Sequence, residues 1–205
     1  MARTQTSGRG SRGRGWTSPP GNLYLSLMLR PLTEPRDAGK WALLAGVAAA
    51  EALSDFDVML KWPNDILYDG AKLGGILVET SLDVNGRLDF LVIGIGINLA
   101  HAPNLPERRT VSLDGAIEPR PVAQTILNRV AHWQTQEWKS VRSAWLRHAL
   151  PIGAAMSLRQ GDVYRSGRFA GLNEDGSLLL DEGGSVRVVS SGEIWLASES
   201  LEETP

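Results

Sequence analysis

Four stretches of the chain carry the residue types that bond-making chemistry needs. The first reads Gln5-Thr-Ser-Gly-Arg-Gly-Ser-Arg-Gly-Arg-Gly-Trp16. Its glycines let the backbone approach a ligand closely, and its arginines offer planar forks of donors to phosphate or carboxylate. Trp16 closes the stretch with an indole that can stack on a flat ring. Such a loop suits an anionic ligand that carries an aromatic base. Two plainer readings share the pattern. One is a disordered Gly/Arg tail that binds nucleic acid by charge; the other is an organelle transit segment, since no acidic residue precedes Glu34.

The other three stretches are Lys61-Trp-Pro-Asn-Asp65, Lys72-Leu-Gly-Gly-Ile-Leu-Val-Glu79 and Gly94-Ile-Gly-Ile-Asn98. Each has an ordinary explanation when taken alone. Lys61 and Lys72 read as exposed lysines, and Pro63-Asn64-Asp65 as a turn. Gly94 and Gly96 could relieve crowding in a strand, and Asn98 could cap the loop that follows.

Composition narrows the field. A chain of 205 residues holds one good core and a small satellite domain. Its net charge of −2 argues against a general nucleic-acid binder and makes the early arginines a local device. Cysteine is absent, which excludes disulfides, thiolate metal sites and a cysteine nucleophile. His101, His132 and His148 have no metal-ligand spacing. No apolar run approaches the roughly 20 residues needed to cross a bilayer. A soluble cytoplasmic protein without a membrane partner is expected.

The elements that must position these residues can be read along the chain. Leucine at every second position from Leu23 to Leu29 predicts a half-buried strand within Asn22–Arg30. Asp37 to Leu53 is rich in alanine and leucine and predicts a buried helix, weakened by Gly39 and Gly46. Strands follow at Val58–Trp62, Ile66–Tyr68 and Gly75–Thr80, with hairpin turns at Asp69-Gly70 and Asn85-Gly86. Phe90 to Asn98 is continuously apolar, as expected of a central strand covered on both faces. His101 to Pro121 is a loop rich in proline and charge. Apolar spacing is helical from Val122 through Trp133 towards Leu150, which makes Trp133 and Trp145 packing residues. Beyond Pro151, strands at Ala155–Arg159, Val163–Gly171, Leu178–Asp181, Val186–Val189 and Ile194–Ala197 predict a small barrel. An α/β domain over 1–150 thus precedes a β domain over 151–198 and a frayed acidic tail over 199–205.

The four stretches, in this order and spacing, resemble the catalytic domain of biotin–protein ligases, or biotin–[acetyl-CoA-carboxylase] ligases. The resemblance runs from about Gln5 to Trp195. It implies an α/β fold, a mixed sheet with packed helices, followed by a small SH3-like β-barrel. It also implies ATP-dependent adenylation of biotin and transfer to a lysine of a biotin carboxyl carrier protein. Two anions must meet in the first step, so fixed cations are needed where charge crowds, and Mg²⁺ on ATP would neutralise more of it. By resemblance, Gln5, Gly8, Arg9, Gly10, Ser11, Lys72 and Gly75 border biotin. Arg12, Arg14, Trp16, Asn64 and Asn98 meet ATP or the adenylate. Lys72, Arg9, Arg12 and Asp65 are the catalytic candidates, and no metal ligand is assigned.

The resemblance has departures. The family's loop usually carries arginine where this chain has Ser11, and that arginine helps retain the adenylate. In the family, a strand, a helix and a Ser/Thr-rich turn that binds biotin's ureido ring precede this loop. Only four residues precede Gln5, so a truncated pocket is expected. No DNA-binding domain is expected, and pairing through the catalytic sheet would give a homodimer. The rival readings are a lipoate–protein ligase of the same fold and a catalytically silent biotin-binding relative.

Overall fold

A computed structural model describes residues 1–105 and 108–196; the expected tail at 199–205 lies outside the described residues. The first sheet contains β1 (Leu23–Leu29), β2 (Val58–Lys61), β3 (Asp65–Tyr68), β4 (Ala71–Leu82) and β5 (Leu88–Ile97) in the order β1-β5-β4-β3-β2. Its ladders are antiparallel throughout. The two expected hairpin turns are present, with Gly70 and Gly86 in the left-handed region their positions demand. β4 is longer than expected, because it pairs with β5 from Gly74 to Leu82 and carries both strands out past the rest of the sheet.

One face of this sheet is covered by α1 (Gly39–Ala52), whose residues Leu43 to Ala50 are all buried. A helix buried all round must be covered on its far side as well. α2 (Pro119–Trp133) and α3 (Trp138–His148) do this, anchored by Val122, Ile126, Val130, Val141 and Trp145. The apolar periodicity read as one run from Val122 to Leu150 is therefore two helices. The polar run Gln134 to Glu137 separates them, with Glu137 extended at ψ 143. Both tryptophans pack: the Trp133 indole donates to Glu51 at 3.1 Å, and Trp145 meets Phe169 edge-on. Gly46 lets α1 seat tightly, since a Cβ there would lie 3.4 Å from Leu60.

The second sheet contains β6 (Ala155–Gln160), β7 (Val163–Leu172), β8 (Leu178–Asp181), β9 (Val186–Val189) and β10 (Glu193–Leu196), in the order β10-β6-β7-β8-β9. It matches the expected strands almost residue for residue; Ala197 lies outside the described residues. Its core of Leu158, Phe169, Leu172, Leu178 and Leu180 is continuous with that of the first domain. Polar ties reinforce the seam. The Trp62 indole donates to the Gly176 carbonyl at 3.1 Å, and Arg142 Nε donates to the Asn173 carbonyl at 2.9 Å. No helix among the described residues is long and apolar enough to cross a membrane.

β5 departs from expectation. Its burial alternates instead of being complete on both faces: Leu91, Ile93, Ile95 and Ile97 face the helices, while Val92, Gly94 and Gly96 face a cavity. The open face is where the Gly-Arg loop lies.

Candidate active site

The Gly-Arg stretch is an ordered hairpin. The Trp16 amide donates to the Gly8 carbonyl at 2.9 Å, the Gly10 amide donates to the Arg14 carbonyl at 2.7 Å, and Arg9 pairs with Gly15. Arg12 and Gly13 take φ of +60° and +73° and turn the tip. Gly8 is obligatory for packing: a Cβ there would lie 2.3 Å from the Trp16 carbonyl oxygen.

Trp16 lies across the open face of the sheet. A Cβ at Gly96 would come within 2.7 Å of the indole Cε2, and one at Gly75 would meet the same ring at 3.6 Å. The glycines of β4 and β5 thus make room first for an indole. Gly74 is different, for its missing Cβ admits the Gly96 carbonyl at 2.7 Å. At Gly94 a Cβ would make only ordinary contact with Leu77, so this glycine widens the cavity.

The hairpin, β4, β5 and the loop after β5 enclose a cavity of about 490 Å³, within the range of small-molecule sites. Gln5, Arg9, Gly10, Ser11, Arg14, Trp16, Asn64, Lys72, Gly75 and Asn98 all line it. Arg9 and Lys72 therefore share one chamber. Three expected residues do not line it. Gly8 backs the hairpin, Asp65 sits behind Lys72, and Arg12 points the other way. The turn at Arg12 sends its guanidinium to Glu193 of the second sheet, at 2.7 Å. Arg12 thus lines a neighbouring smaller cavity and not this chamber.

Asp65 is the electrostatic hub. Its carboxylate takes a hydrogen bond from Lys72, and it meets Lys61 at 3.2 Å and Arg108 at 3.3 Å. Burial would raise the Asp65 carboxyl, but these three cations override it and hold the group well below the ordinary carboxylate range. Burial pulls the Lys72 ammonium below its ordinary value, while Asp65 opposes that pull. Lys61, read as an exposed lysine, is 1% exposed; its ammonium also donates to the Ile194 carbonyl at 3.1 Å. It ties the two sheets together.

Glu193 is a second hub that no sequence pattern marked. It receives Arg12 at 2.7 Å, Arg14 at 2.6 Å and Arg108 at 3.2 Å. Burial would raise its carboxyl, yet the Arg14 hydrogen bond and the charges of Arg14, Arg12 and Arg108 lower it. Arg9, by contrast, is 71% exposed and pairs with Glu79 at 3.1 Å. An exposed pair is worth at most about 1 kcal/mol, so an incoming carboxylate can displace Glu79.

Two polar atoms near the indole are buried without a protein partner: Trp16 Nε1 and Asn98 Oδ1. The other end of the Asn98 amide is fixed, donating to the Val111 carbonyl at 3.2 Å. Trp16 and Asn98 both line the cavity, with the Nε1 edge of the indole set against Gly96.

The biotin/lipoate A/B protein ligase family model matches residues 1–98, and that of the biotin protein ligase C terminal domain matches residues 155–196. The biotin--[acetyl-CoA-carboxylase] ligase of Paracoccus denitrificans is 32% identical over 95% of this chain and 88% of its own length. The bifunctional ligase/repressor BirA of Bacillus subtilis strain 168 is 33% identical over 96% of this chain, which spans 65% of that protein. Among solved structures, the biotin protein ligase from Aquifex aeolicus in complex with biotin and ATP superposes with a TM-score of 0.77 at 29% identity, covering 95% of this chain and 86% of its own. The biotin acetyl coenzyme A carboxylase synthetase from Helicobacter pylori with bound biotinylated ATP gives 0.64 at 25% identity, covering 91% and 83%. With two family models in chain order and a relative matched over nearly its whole length, this chain belongs to the biotin protein ligase family.

Proposed function

We propose that the chamber between the hairpin and the sheet binds biotin and ATP side by side and joins them as biotinyl-5'-AMP. The observation that carries this reading is the position of Arg9 and Lys72 on one cavity, with Trp16 and Asn98 in its wall. In the first step a biotin carboxylate oxygen attacks the α-phosphorus of ATP. The bond to the bridging oxygen breaks, and pyrophosphate leaves with its electron pair. Lys72, held by Asp65, cancels part of the repulsion between the two anions. Arg9 leaves Glu79 to meet the biotin carboxylate, and Gln5, Gly10 and Ser11 border the vitamin with Gly75. Trp16 packs on the adenine and Asn98 accepts from its edge.

In the second step an uncharged lysine amine of a biotin carboxyl carrier protein attacks the anhydride carbonyl, and AMP leaves. No enzyme nucleophile is required, in keeping with a chain that has no cysteine. Among the described residues there is no cluster of three or more acidic, cysteine or histidine side chains to hold a metal. Mg²⁺ on the triphosphate would neutralise part of the charge that Arg9 and Lys72 face. The carrier is a carboxylase subunit, and the reaction belongs in the cytoplasm, where such carboxylases meet ATP.

The test is biotin-dependent exchange of labelled pyrophosphate into ATP. Exchange with biotin is expected, and exchange with lipoate but not biotin would overturn the substrate assignment. Biotin binding without transfer to any carrier lysine would mark a silent relative.

A further inference from the structure

The loop after β5 sends an arginine into the cavity wall that no stretch of the sequence singled out. The Arg108 side chain is 6% exposed and lines the chamber beside Lys72 and Arg14. Its fork is divided: Nη1 donates to Asp65 at 3.3 Å, and Nη2 donates to Glu193 at 3.2 Å. The guanidinium Cζ lies over the Trp195 ring, 4.8 Å from its centre. Holding so long a side chain on three sides costs it its rotamer freedom.

Neutralisation alone does not account for that cost. Asp65 already has Lys61 and Lys72, and both oxygens of Glu193 are already taken by Arg12 and Arg14. Arg108 is thus a further cation on each carboxylate, and its burial makes any additional anion in reach strongly favourable. A small second cavity of about 100 Å³ adjoins the chamber. Arg108 lines both, as do Arg14, Ser11 and Asn64, while Asp65 and Glu193 line only the smaller. Arg108 stands where the two spaces meet.

We propose that Arg108 contacts the β- and γ-phosphates of ATP at this junction and stabilises departing pyrophosphate, with Glu193 of the second sheet as the residue that positions it. The proposal rests on the ligase reading above and adds a residue to it. The bond that breaks joins the α-phosphorus to the bridging oxygen, and the negative charge gathers on pyrophosphate. The guanidinium donates hydrogen bonds to that charge and transfers no proton, since it stays protonated throughout.

Pyrophosphate binding, measured by calorimetry on the full chain, separates this proposal from the ligase reading because it needs no turnover. Arg108→Gln is expected to weaken pyrophosphate and to raise the KM for ATP, each about tenfold or more, with biotin affinity unchanged. Glu193→Gln is expected to give a smaller loss in the same two quantities, because the arginine remains but its aim is lost. Arg108→Lys, which keeps charge and loses the fork, is expected to fall between wild type and Arg108→Gln. Unchanged pyrophosphate affinity in Arg108→Gln, with only a lower Tm, would make the residue structural and overturn the proposal. Should Arg108→Gln fail to fold, Arg108→Lys decides, and wild-type pyrophosphate affinity there would equally overturn it. Failure of the ligase reading has a different signature, namely no biotin-dependent exchange in the unaltered chain.

Discussion

Lys72 on β4 is hydrogen-bonded to Asp65 on β3, across the hairpin that joins these two strands. The pair puts a buried ammonium at the cavity wall and fixes its counter-charge just behind it. That arrangement leaves Lys72 free to donate its remaining protons forward. Removing its amine with Lys72→Ala is expected to abolish adenylation, by about a thousandfold or more for a group acting at the transition state. The fold should survive, since Lys61 and Arg108 still satisfy Asp65. Single-turnover adenylate formation, with Tm as the control, checks this; normal turnover would remove Lys72 from the mechanism.

Neutralising the other partner should act on stability instead. Asp65→Asn leaves Lys61, Lys72 and Arg108 facing one another in a buried site with their shared anion gone. Breaking a buried ion pair from one side costs about 3–5 kcal/mol. Urea unfolding should show that loss with an unaltered slope. A loss under about 1 kcal/mol would mean that water or rearranged partners screen the site.

The same two carboxylates set the acid limb of stability. Asp65 and Glu193 both titrate lower in the folded chain than their ordinary values. Below about pH 4 the unfolded chain takes up protons first, so stability falls as pH falls. Their contribution is complete above that pH and is lost progressively as each folded carboxyl is protonated. Tm measured from pH 7 down to 3 should drop most steeply below pH 4. Glu193→Gln should flatten part of the slope, and an unchanged slope would assign the acid sensitivity elsewhere.

Glycine in β5 offers a test of how the indole is seated. Gly96→Ala would push a methyl to 2.7 Å from Trp16 Cε2, whereas Gly94→Ala would meet only Leu77, at ordinary contact distance. Overpacking of this kind costs about 1–3 kcal/mol. Gly96→Ala should therefore lower Tm and shift Trp fluorescence. Gly94→Ala should leave Tm near wild type and instead weaken ligand binding by narrowing the chamber. Equal effects of the two on Tm would contradict the seating described here.

β5 also explains which parts of the molecule were legible in the chain. The strands of the small domain could be placed because Gly161, Gly176 and Gly183 mark their turns with positive φ. In β5 the cavity-facing positions Gly94 and Gly96 have no side chains, so its alternation was invisible and the strand looked covered on both faces. The resemblance groups Arg12 with Arg14 at the adenylate. The left-handed pair Arg12-Gly13 at the tip separates them, so that Arg14 lines the chamber and Arg12 does not. Arg108 and Glu193 left no local signal at all, because Arg108 gains its meaning from partners 43 and 85 positions distant and Glu193 from partners 85, 179 and 181 positions distant. Lys61 has one partner nearby in sequence, Asp65, but its tie to the Ile194 carbonyl of the other sheet has no local signal.

Asn98 carries the last expectation. Its Nδ2 is committed to the Val111 carbonyl, so the amide cannot flip without losing that bond, and its Oδ1 is an acceptor with no protein partner. The adenine amino group is a donor, while the same edge of guanine presents a carbonyl. Two acceptors would then face each other in a buried wall, and an unpaired polar group there costs about 1–3 kcal/mol. The wild-type chain should accordingly prefer ATP over GTP in pyrophosphate exchange by roughly tenfold to hundredfold. Asn98→Ala should lose most of that preference, chiefly through slower reaction with ATP. Steady-state kcat/KM for both nucleotides measures it, and a preference that survives intact in Asn98→Ala would place base recognition on another residue.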